Sequence, residues 1–322
     1  MAEALTMNGC RGPVSPRTGR REAGLRKQRT SGILNLDKPA GMTSHDVVAR
    51  VRHLLGIRKV GHAGTLDPMA TGVLLICLGQ ATRVAEYLMR SDKIYRAEIR
   101  LGVTTDTHDA EGKVIKTAKV NVGEEEVREA LASFVGQIEQ VPPMYSALKR
   151  QGVPLYKLAR KGIVVERKPR AVKVHQIKLL DWSPPLVTIE VTCSPGTYIR
   201  ALARDLGERL GCGAHLAALT RLASGRFTLD EAVSLDELAE AAAQGRWREL
   251  LHPLDAALLD FPAVTLDEAA ERRVRFGQQV EIEHSGPEPL CRAYSTRGEL
   301  VALLRYDPQT GLWQPKKVFT AS

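Results

Sequence analysis

The sequence predicts an α+β protein: a mixed, largely antiparallel sheet with flanking helices, followed by a small β-rich unit. Three observations carry this expectation. Strand and helix patterns are interspersed without a regular βαβ repeat, which disfavours a parallel doubly wound sheet. Ala171–Trp182 and Leu186–Cys193 read as an antiparallel pair joined at Ser183-Pro184-Pro185. From about Leu251 the pattern changes to short strands punctuated by Gly277, Gly286, Gly298 and Gly311. A length of 322 residues suits about two domains, placed here at 31–250 and 251–322.

In chain order, residues 1–30 hold seven basic residues against Glu3 and Glu22, with no apolar periodicity, and are predicted to be a disordered basic tail. The absence of an apolar core segment excludes a secretory signal. An Arg-rich, acid-poor stretch also fits an organellar leader; a tail on a cytoplasmic protein is the reading adopted. Gly32–Asp37 reads as a strand ended by Lys38-Pro39-Ala40-Gly41. Ser44–Leu55 reads as a helix capped by Thr43 or Ser44, with Val47, Val48, Val51, Leu54 and Leu55 on one face and Gly56 as its stop. Residues 57–71 are expected as a loop in which Pro68 holds Asp67 extended. Val73–Leu78 reads as a buried strand and Thr82–Met89 as a short helix. Lys93–Leu101 alternates, with Tyr95, Ala97, Ile99 and Leu101 opposite Arg96, Glu98 and Arg100. A helix is predicted from about Glu124 to Phe134, and another carrying Ile199, Leu202, Ala203, Leu206 and Leu210, stopped at Gly211.

Composition excludes several classes. Hydrophobic residues at 43% and charged residues at 26% describe an ordinary globular chain. The longest uncharged run, Pro68 to Thr82, spans 15 residues, short of the roughly 20 a membrane helix needs, so no membrane partner is expected. Five cysteines, widely spaced and odd in number, form neither a disulfide framework nor a zinc pattern, and Cys77 and Cys193 lie in apolar runs where burial is expected. No phosphate-binding or dinucleotide-binding glycine motif and no metal-spaced histidine pair occurs, so neither cofactor nor metal is expected. The net charge of +9 is local rather than general. Residues 145–173 hold nine basic residues and only Glu166 as an acid, which with the basic tail leaves the remainder acidic. Two such patches are the electrostatic footprint of a nucleic-acid partner.

One stretch concentrates the chemistry, Gly61-His-Ala-Gly-Thr-Leu-Asp-Pro-Met-Ala-Thr-Gly-Val-Leu74. Its single acid, Asp67, sits before a proline on a glycine-bearing loop and is therefore positioned rather than free in solvent. With a reference pKa near 3.9, an aspartate is ionised at neutral pH and serves as nucleophile or base. In isolation an Asp-Pro pair is more often a simple turn. Here the stretch, together with Ser31–Ser44 upstream, resembles the TruB-type tRNA pseudouridine synthases. The resemblance continues through Asp92–Tyr95, Thr105–Gly112, Pro142–Leu148, Leu155–Gly162 and Gly196–Arg200. It covers nearly all of residues 31–230, while Arg275–Val280 through Trp313–Phe319 resembles, more loosely, an RNA-binding PUA-type domain.

The resemblance implies the pseudouridine synthase fold and the isomerisation of uridine 55 in the T loop of tRNA, without a cofactor. Asp67 matches the catalytic aspartate, Tyr95 the active-site tyrosine and Arg200 the arginine that pairs with the aspartate. Arg200 also stands out physically, because a cation in the first turn of a helix opposes the macrodipole and wants an anionic partner. His62 matches the histidine that fills the space left by a flipped nucleotide; Tyr198 and Leu219 match residues beside that nucleotide. Lys38, with Pro39, is expected to support the catalytic loop. Lys149, Arg150, Lys157, Arg160 and Lys161, in an insertion spanning about 141–173, are suited to contact RNA phosphates. The chain is expected to act as a monomer on the T arm. Two other readings stand beside this one: an RNA chaperone or assembly factor on the same scaffold, and a KH-like binder using the Gly61–Gly64 GxxG run.

Overall fold

The computed structural model describes residues 30–320, apart from 147, 151, 160, 164 and 284–288. The expected basic tail, save Thr30, lies outside the described residues, as do Cys10, Arg160 and Gly286. The fold is α+β, as expected. Its first half contains β1 (Gly32–Lys38), α1 (Ser44–Leu55), β2 (Val60–His62), β3 (Thr71–Leu78), α2 (Ala85–Met89), β4 (Lys93–Leu101), β5 (Val103–Thr105), β6 (Val114–Thr117), α3 (Glu124–Ala132) and β7 (Gly136–Gln140). There follow β8 (Lys149–Arg150), β9 (Val153–Pro154), α4 (Leu155–Ala159), β10 (Arg170–Ser183), β11 (Leu186–Cys193), α5 (Ile199–Arg209), β12 (Ala214–Ser224), β13 (Phe227–Thr228), α6 (Leu235–Ala243) and β14 (Leu251–His252). The last part is β15 (Ala263–Thr265), α7 (Glu268–Arg275), β16 (Leu290–Tyr294), β17 (Leu300–Asp307) and β18 (Leu312–Val318). Among the described residues no helix is long and apolar enough to cross a membrane.

Local chemistry explains the boundaries. Thr43, rather than Ser44, caps α1: its hydroxyl accepts from the Asp46 amide at 3.1 Å, and the Asp46 carboxylate accepts from the Thr43 amide at 2.9 Å. Gly56 ends that helix at φ +63°. The stretch expected as a loop, 57–71, contains β2, which three residues are too short to reveal by pattern and which pairing with β3 creates. The helix expected over Thr82–Met89 is divided into a tight turn at Gly79–Arg83 and α2, because Val84 leaves helical geometry at φ −106° and ψ 1°. α3 stops at Ala132 rather than Phe134, with the Ser133 hydroxyl donating to Ala130 O at 2.6 Å.

The large sheet has ten strands, ordered β14-β1-β3-β12-β4-β11-β10-β7, with β13 attached to β12 and β2 to β3. β12 is antiparallel to β4 but parallel to β3, so the sheet is mixed at its centre. β3 is buried on both faces. Leu74, Ile76 and Leu78 join the core with α1 and α5, whereas Val73, Leu75 and Cys77 face a second core that includes Leu290, Leu303 and Phe319 from the last β elements. That explains why its sequence is continuously apolar instead of alternating. β15, β16, β17 and β18 form a separate four-stranded sheet. β14 hydrogen bonds to β1, so the change of pattern at Leu251 falls inside the large sheet, and the separate sheet starts at Ala263.

The parallel junction of β3 and β12 depends on Gly72. Its φ is +94°, and a Cβ there would meet Arg221 O at 2.3 Å and Arg221 N at 2.9 Å. Gly41, at φ +81° with nothing within 4 Å, has the strain without the clash. Gly72→Ala is expected to destabilise by about 2 kcal/mol or more, and Gly41→Ala by about 1 kcal/mol. Thermal denaturation of the two variants measures the difference, and equal shifts would mean that the sheet yields at Gly72.

Candidate active site

The site begins with the loop before β3. Lys38, at the end of β1 and fully buried, donates from Nζ to Pro39 O at 2.7 Å, Pro68 O at 3.1 Å and Ala70 O at 2.6 Å. Burial pushes its pKa down to about 8, partly offset by the Asp67 charge. Ser44 in α1 clamps the preceding residue, donating to Leu66 O at 3.1 Å and accepting from Leu66 N at 2.9 Å. Ala70 N closes the turn onto Asp67 O at 3.1 Å. The backbone is therefore held on both sides of Asp67, whose side chain is one-third exposed. This is the position inferred from the Asp-Pro joint, and Lys38 is where a support for the loop was expected.

Arg200 reaches the same point from the first turn of α5, 5% exposed. Its Nη2 donates to Asp67 Oδ1 at 2.9 Å and to Tyr145 O at 2.7 Å. Its Nη1 donates to Asp109 Oδ2 at 3.2 Å. The anionic partner that an unfavourably placed helix cation requires is thus two carboxylates sharing one guanidinium. Burial pushes the Asp67 carboxyl above its usual value; Arg200 pulls it down, and the nearby Asp109 charge opposes that relief.

Asp109 escaped the sequence reading, although it lies inside the Thr105–Gly112 motif. That loop also offers Asp106 and Glu111, and nothing in the sequence says which acid turns inward. The structure turns Asp109 in, at 3% exposed, by placing His108 at φ +64° and hydrogen bonding its carboxylate to the Thr107 hydroxyl at 2.5 Å and the Glu111 amide at 3.1 Å.

Tyr95 projects from β4 beside Arg221 of β12, its register partner. Burial raises the phenol's pKa, and Arg221 acts against that rise. Tyr198 caps α5; its amide donates to Gln140 Oε1 at 3.0 Å, and Gln140 Nε2 returns a bond to Tyr198 O at 3.4 Å. The Asp67 charge acts, weakly, to raise the pKa of both tyrosines. Leu219, midway along β12 opposite Ala97, is 7% exposed and packs in the main core. His62, at the end of β2, packs edge-on against His45 at 5.4 Å, and its Nδ1 is buried without a partner. Burial pushes its pKa down to about 4, so the imidazole is neutral at physiological pH. Gly61 and His62 belong to a paired strand, which removes the KH-like reading of Gly61–Gly64 as a phosphate-clamping loop.

The basic segment is less convergent. Lys149 and Arg150 lie in the two-stranded β8–β9 hairpin, Lys157 and Lys161 are exposed on and after α4, and Arg160 is outside the described residues. No hydrogen bond or ion pair joins Lys157 or Lys161 to the aspartate cluster among the described residues.

Residues 52–199 match the N-terminal domain of the TruB family of pseudouridylate synthases. Residues 200–259 match the C-terminal domain of tRNA pseudouridylate synthase B. A tRNA pseudouridine synthase B of Dechloromonas aromatica is 49% identical over 86% of this chain and 91% of its own length. One from Dehalococcoides mccartyi is 44% identical over 90% of this chain and 96% of its own length. Among solved structures, an H/ACA RNP bound to a substrate RNA containing 2′-deoxyuridine contains a chain that superposes with a TM-score of 0.70, at 28% identity, over 90% of this chain and 85% of that one. By both domain matches and by its identity to these relatives over most of its length, the chain belongs to the TruB family of pseudouridylate synthases.

Proposed function

We propose that this chain isomerises uridine 55 in the T loop of tRNA to pseudouridine, with Asp67 as the reacting carboxylate. The observation that carries the assignment of Asp67 is its fixed and only partly exposed side chain, ion-paired to a buried arginine. In this reading the target nucleotide leaves the loop stack and enters the cleft. Asp67 initiates breakage of the bond between C1′ and N1; the uracil turns, C5 joins C1′, and one proton moves from C5 as N1 gains another. Nothing is oxidised or hydrolysed, so no cofactor or metal takes part.

The other side chains have separate tasks. Arg200 orients Asp67 and stabilises its ionised form. Tyr95 stacks on the base, while Tyr198 and Leu219 line the nucleotide's place. His62, neutral and partly apolar, suits the gap left in the RNA, because filling it offsets part of the unstacking cost. Lys149, Arg150, Lys157, Arg160 and Lys161 contact phosphates of the T arm, and the last four-stranded sheet acts as a PUA-like extension of the RNA footprint. The enzyme works as a cytoplasmic monomer.

Asp67→Asn is expected to lower the single-turnover rate on a T-arm RNA by roughly 10³-fold or more, with RNA affinity within a few-fold. Substantial product from the purified variant would remove Asp67 from the chemistry, and an RNA chaperone role would then be favoured. The reaction needs ionised Asp67, and its folded pKa is raised. The acid limb of the single-turnover pH profile is therefore expected above the ordinary aspartate value of about 3.9. Asp109→Asn removes the neighbouring like charge and is expected to move that limb to lower pH. A limb that stays in place would show that the Asp109 charge does not reach Asp67. Neutralising Lys149, Arg150, Arg160 and Lys161 together is expected to flatten the log–log salt dependence of tRNA binding, by about 0.7–0.9 for each phosphate left without its cation. An unchanged slope would assign those charges to solvent.

A further inference from the structure

One buried cation has no task in the site described above. Arg221 of β12 is 1% exposed, with no carboxylate within 4.0 Å among the described residues. Its charge is solvated by backbone instead: Nε donates to Val73 O at 2.6 Å and Nη2 to Gly64 O at 3.2 Å. A buried charge without a counter-ion is costly, and two further buried cations increase the cost. Burial pushes the Lys38 and Lys93 amines down to about 8 each, and the positive charge of Arg221 acts in the same direction on both. The two carbonyls engage two of the five N–H donors of a guanidinium, which leaves donors for a group that becomes negative.

Its position indicates what that is. Arg221 and Tyr95 are direct cross-strand partners on β12 and β4, so their side chains leave the same face of the sheet with Cβ atoms about 4.5–5.5 Å apart. The Arg221 charge acts on the Tyr95 phenol and pulls its pKa down, while burial, the larger effect, raises it and keeps the phenol protonated. Asp67 and Asp109, meanwhile, share one guanidinium, that of Arg200. A base that departs from C1′ with its electron pair would carry negative charge into a site already holding two carboxylates.

We propose that Arg221 is a positioning residue acting through Tyr95: it donates to the Tyr95 oxygen, and the polarised phenol donates to the uracil ring as that ring becomes anionic. The inference rests on the pseudouridine-forming reading. The C1′–N1 bond breaks heterolytically, and its electron pair stays on uracil, spread over N1, O2 and O4. Tyr95 keeps its proton throughout. The pair returns when C5 bonds to C1′; C5 then gives its proton to water and N1 takes one from water, so the sum is an isomerisation. Hydrogen bonds in series strengthen one another, which makes a phenol that accepts from a cation a better donor than a phenol alone.

The test is single-turnover kinetics with T-arm RNAs carrying either uridine or 5-fluorouridine at the target position. Arg221→Gln, Arg221→Lys, Tyr95→Phe and the two doubles are compared with the parent protein, following loss of the target nucleoside and RNA affinity separately. Arg221→Gln is expected to slow reaction of uridine by about 10–100-fold, with RNA affinity within about threefold. Arg221→Lys, which keeps the charge but loses the fork, is expected to be slowed less. Fluorine stabilises the departing anion, so the defect should narrow to a few-fold with 5-fluorouridine. In the Tyr95→Phe background either Arg221 change should add little. An equal defect with both nucleosides, a full additional defect in Tyr95→Phe, or a matching loss of RNA affinity would overturn the proposal and leave Arg221 as an anchor for Gly64. If Arg221→Gln does not fold, the lysine variant and its double decide by the same criteria. Product from the parent protein together with none from Asp67→Asn keeps failure of this inference distinct from failure of the reaction itself.

Discussion

The site depends on one guanidinium. Arg200 ties together three segments that are distant in sequence: the loop bearing Asp67, the loop bearing Asp109 and the backbone at Tyr145, at the entrance to the basic insertion. Arginine spreads its donors over a planar fork, which suits it to hold two carboxylates and a carbonyl that lie in different directions. The helix dipole at its position is unfavourable to it, and the carboxylates supply the compensation. The arrangement has a chemical consequence. Asp67 is oriented by a cation that it does not own alone, so it is less fully neutralised than a carboxylate in a private ion pair.

The same device recurs around the cleft with backbone in place of carboxylates. Lys38, Lys93 and Arg221 are all buried, and each is bonded mainly to carbonyl oxygens. Lys38 fastens Pro68 and Ala70 just after Asp67, Arg221 fastens Gly64 and Val73, and Lys93 collects carbonyls at the end of α2. A cation is strong cement for loop backbone, because charge-assisted hydrogen bonds are about twice as strong as neutral ones. The cost is desolvation, visible in the two amines whose pKa values fall to about 8. A rigid loop beside Asp67 is the return on that cost.

Packing extends this rigidity away from the site. Because β3 is buried on both faces, its outer face is covered by residues of the last sheet, including Leu303 and Phe319. Polar contacts tie the same parts together: Arg83 donates to Val318 O at 2.5 Å, and Gln80 and Thr320 bond reciprocally at 2.8 and 3.0 Å. The strand that follows the Asp67 loop is thus the strand on which the last sheet packs.

Much of this was legible in the chain. α1 and β4 have the boundaries that their periodicity and caps predict, and Gly56 and Gly211 lie just past the ends of α1 and α5. These features are local, and local chemistry decides them. Asp67, Tyr95 and Arg200 stood out as candidates because long ordered motifs surround them. β2 was missed because three residues carry no period. Asp109 and Arg221 were missed because inward orientation is a property of partners, not of residue type. Among Asp106, Asp109 and Glu111, the one that enters the site is the one Arg200 can reach, and Arg200 comes from a helix 91 positions beyond Asp109. By itself the sequence determined which segments become helix or strand and which acid stands on a stiff joint. Only the tertiary structure decided which charges share a cleft, because burial and Coulomb energy depend on distances in space that spacing along the chain does not contain.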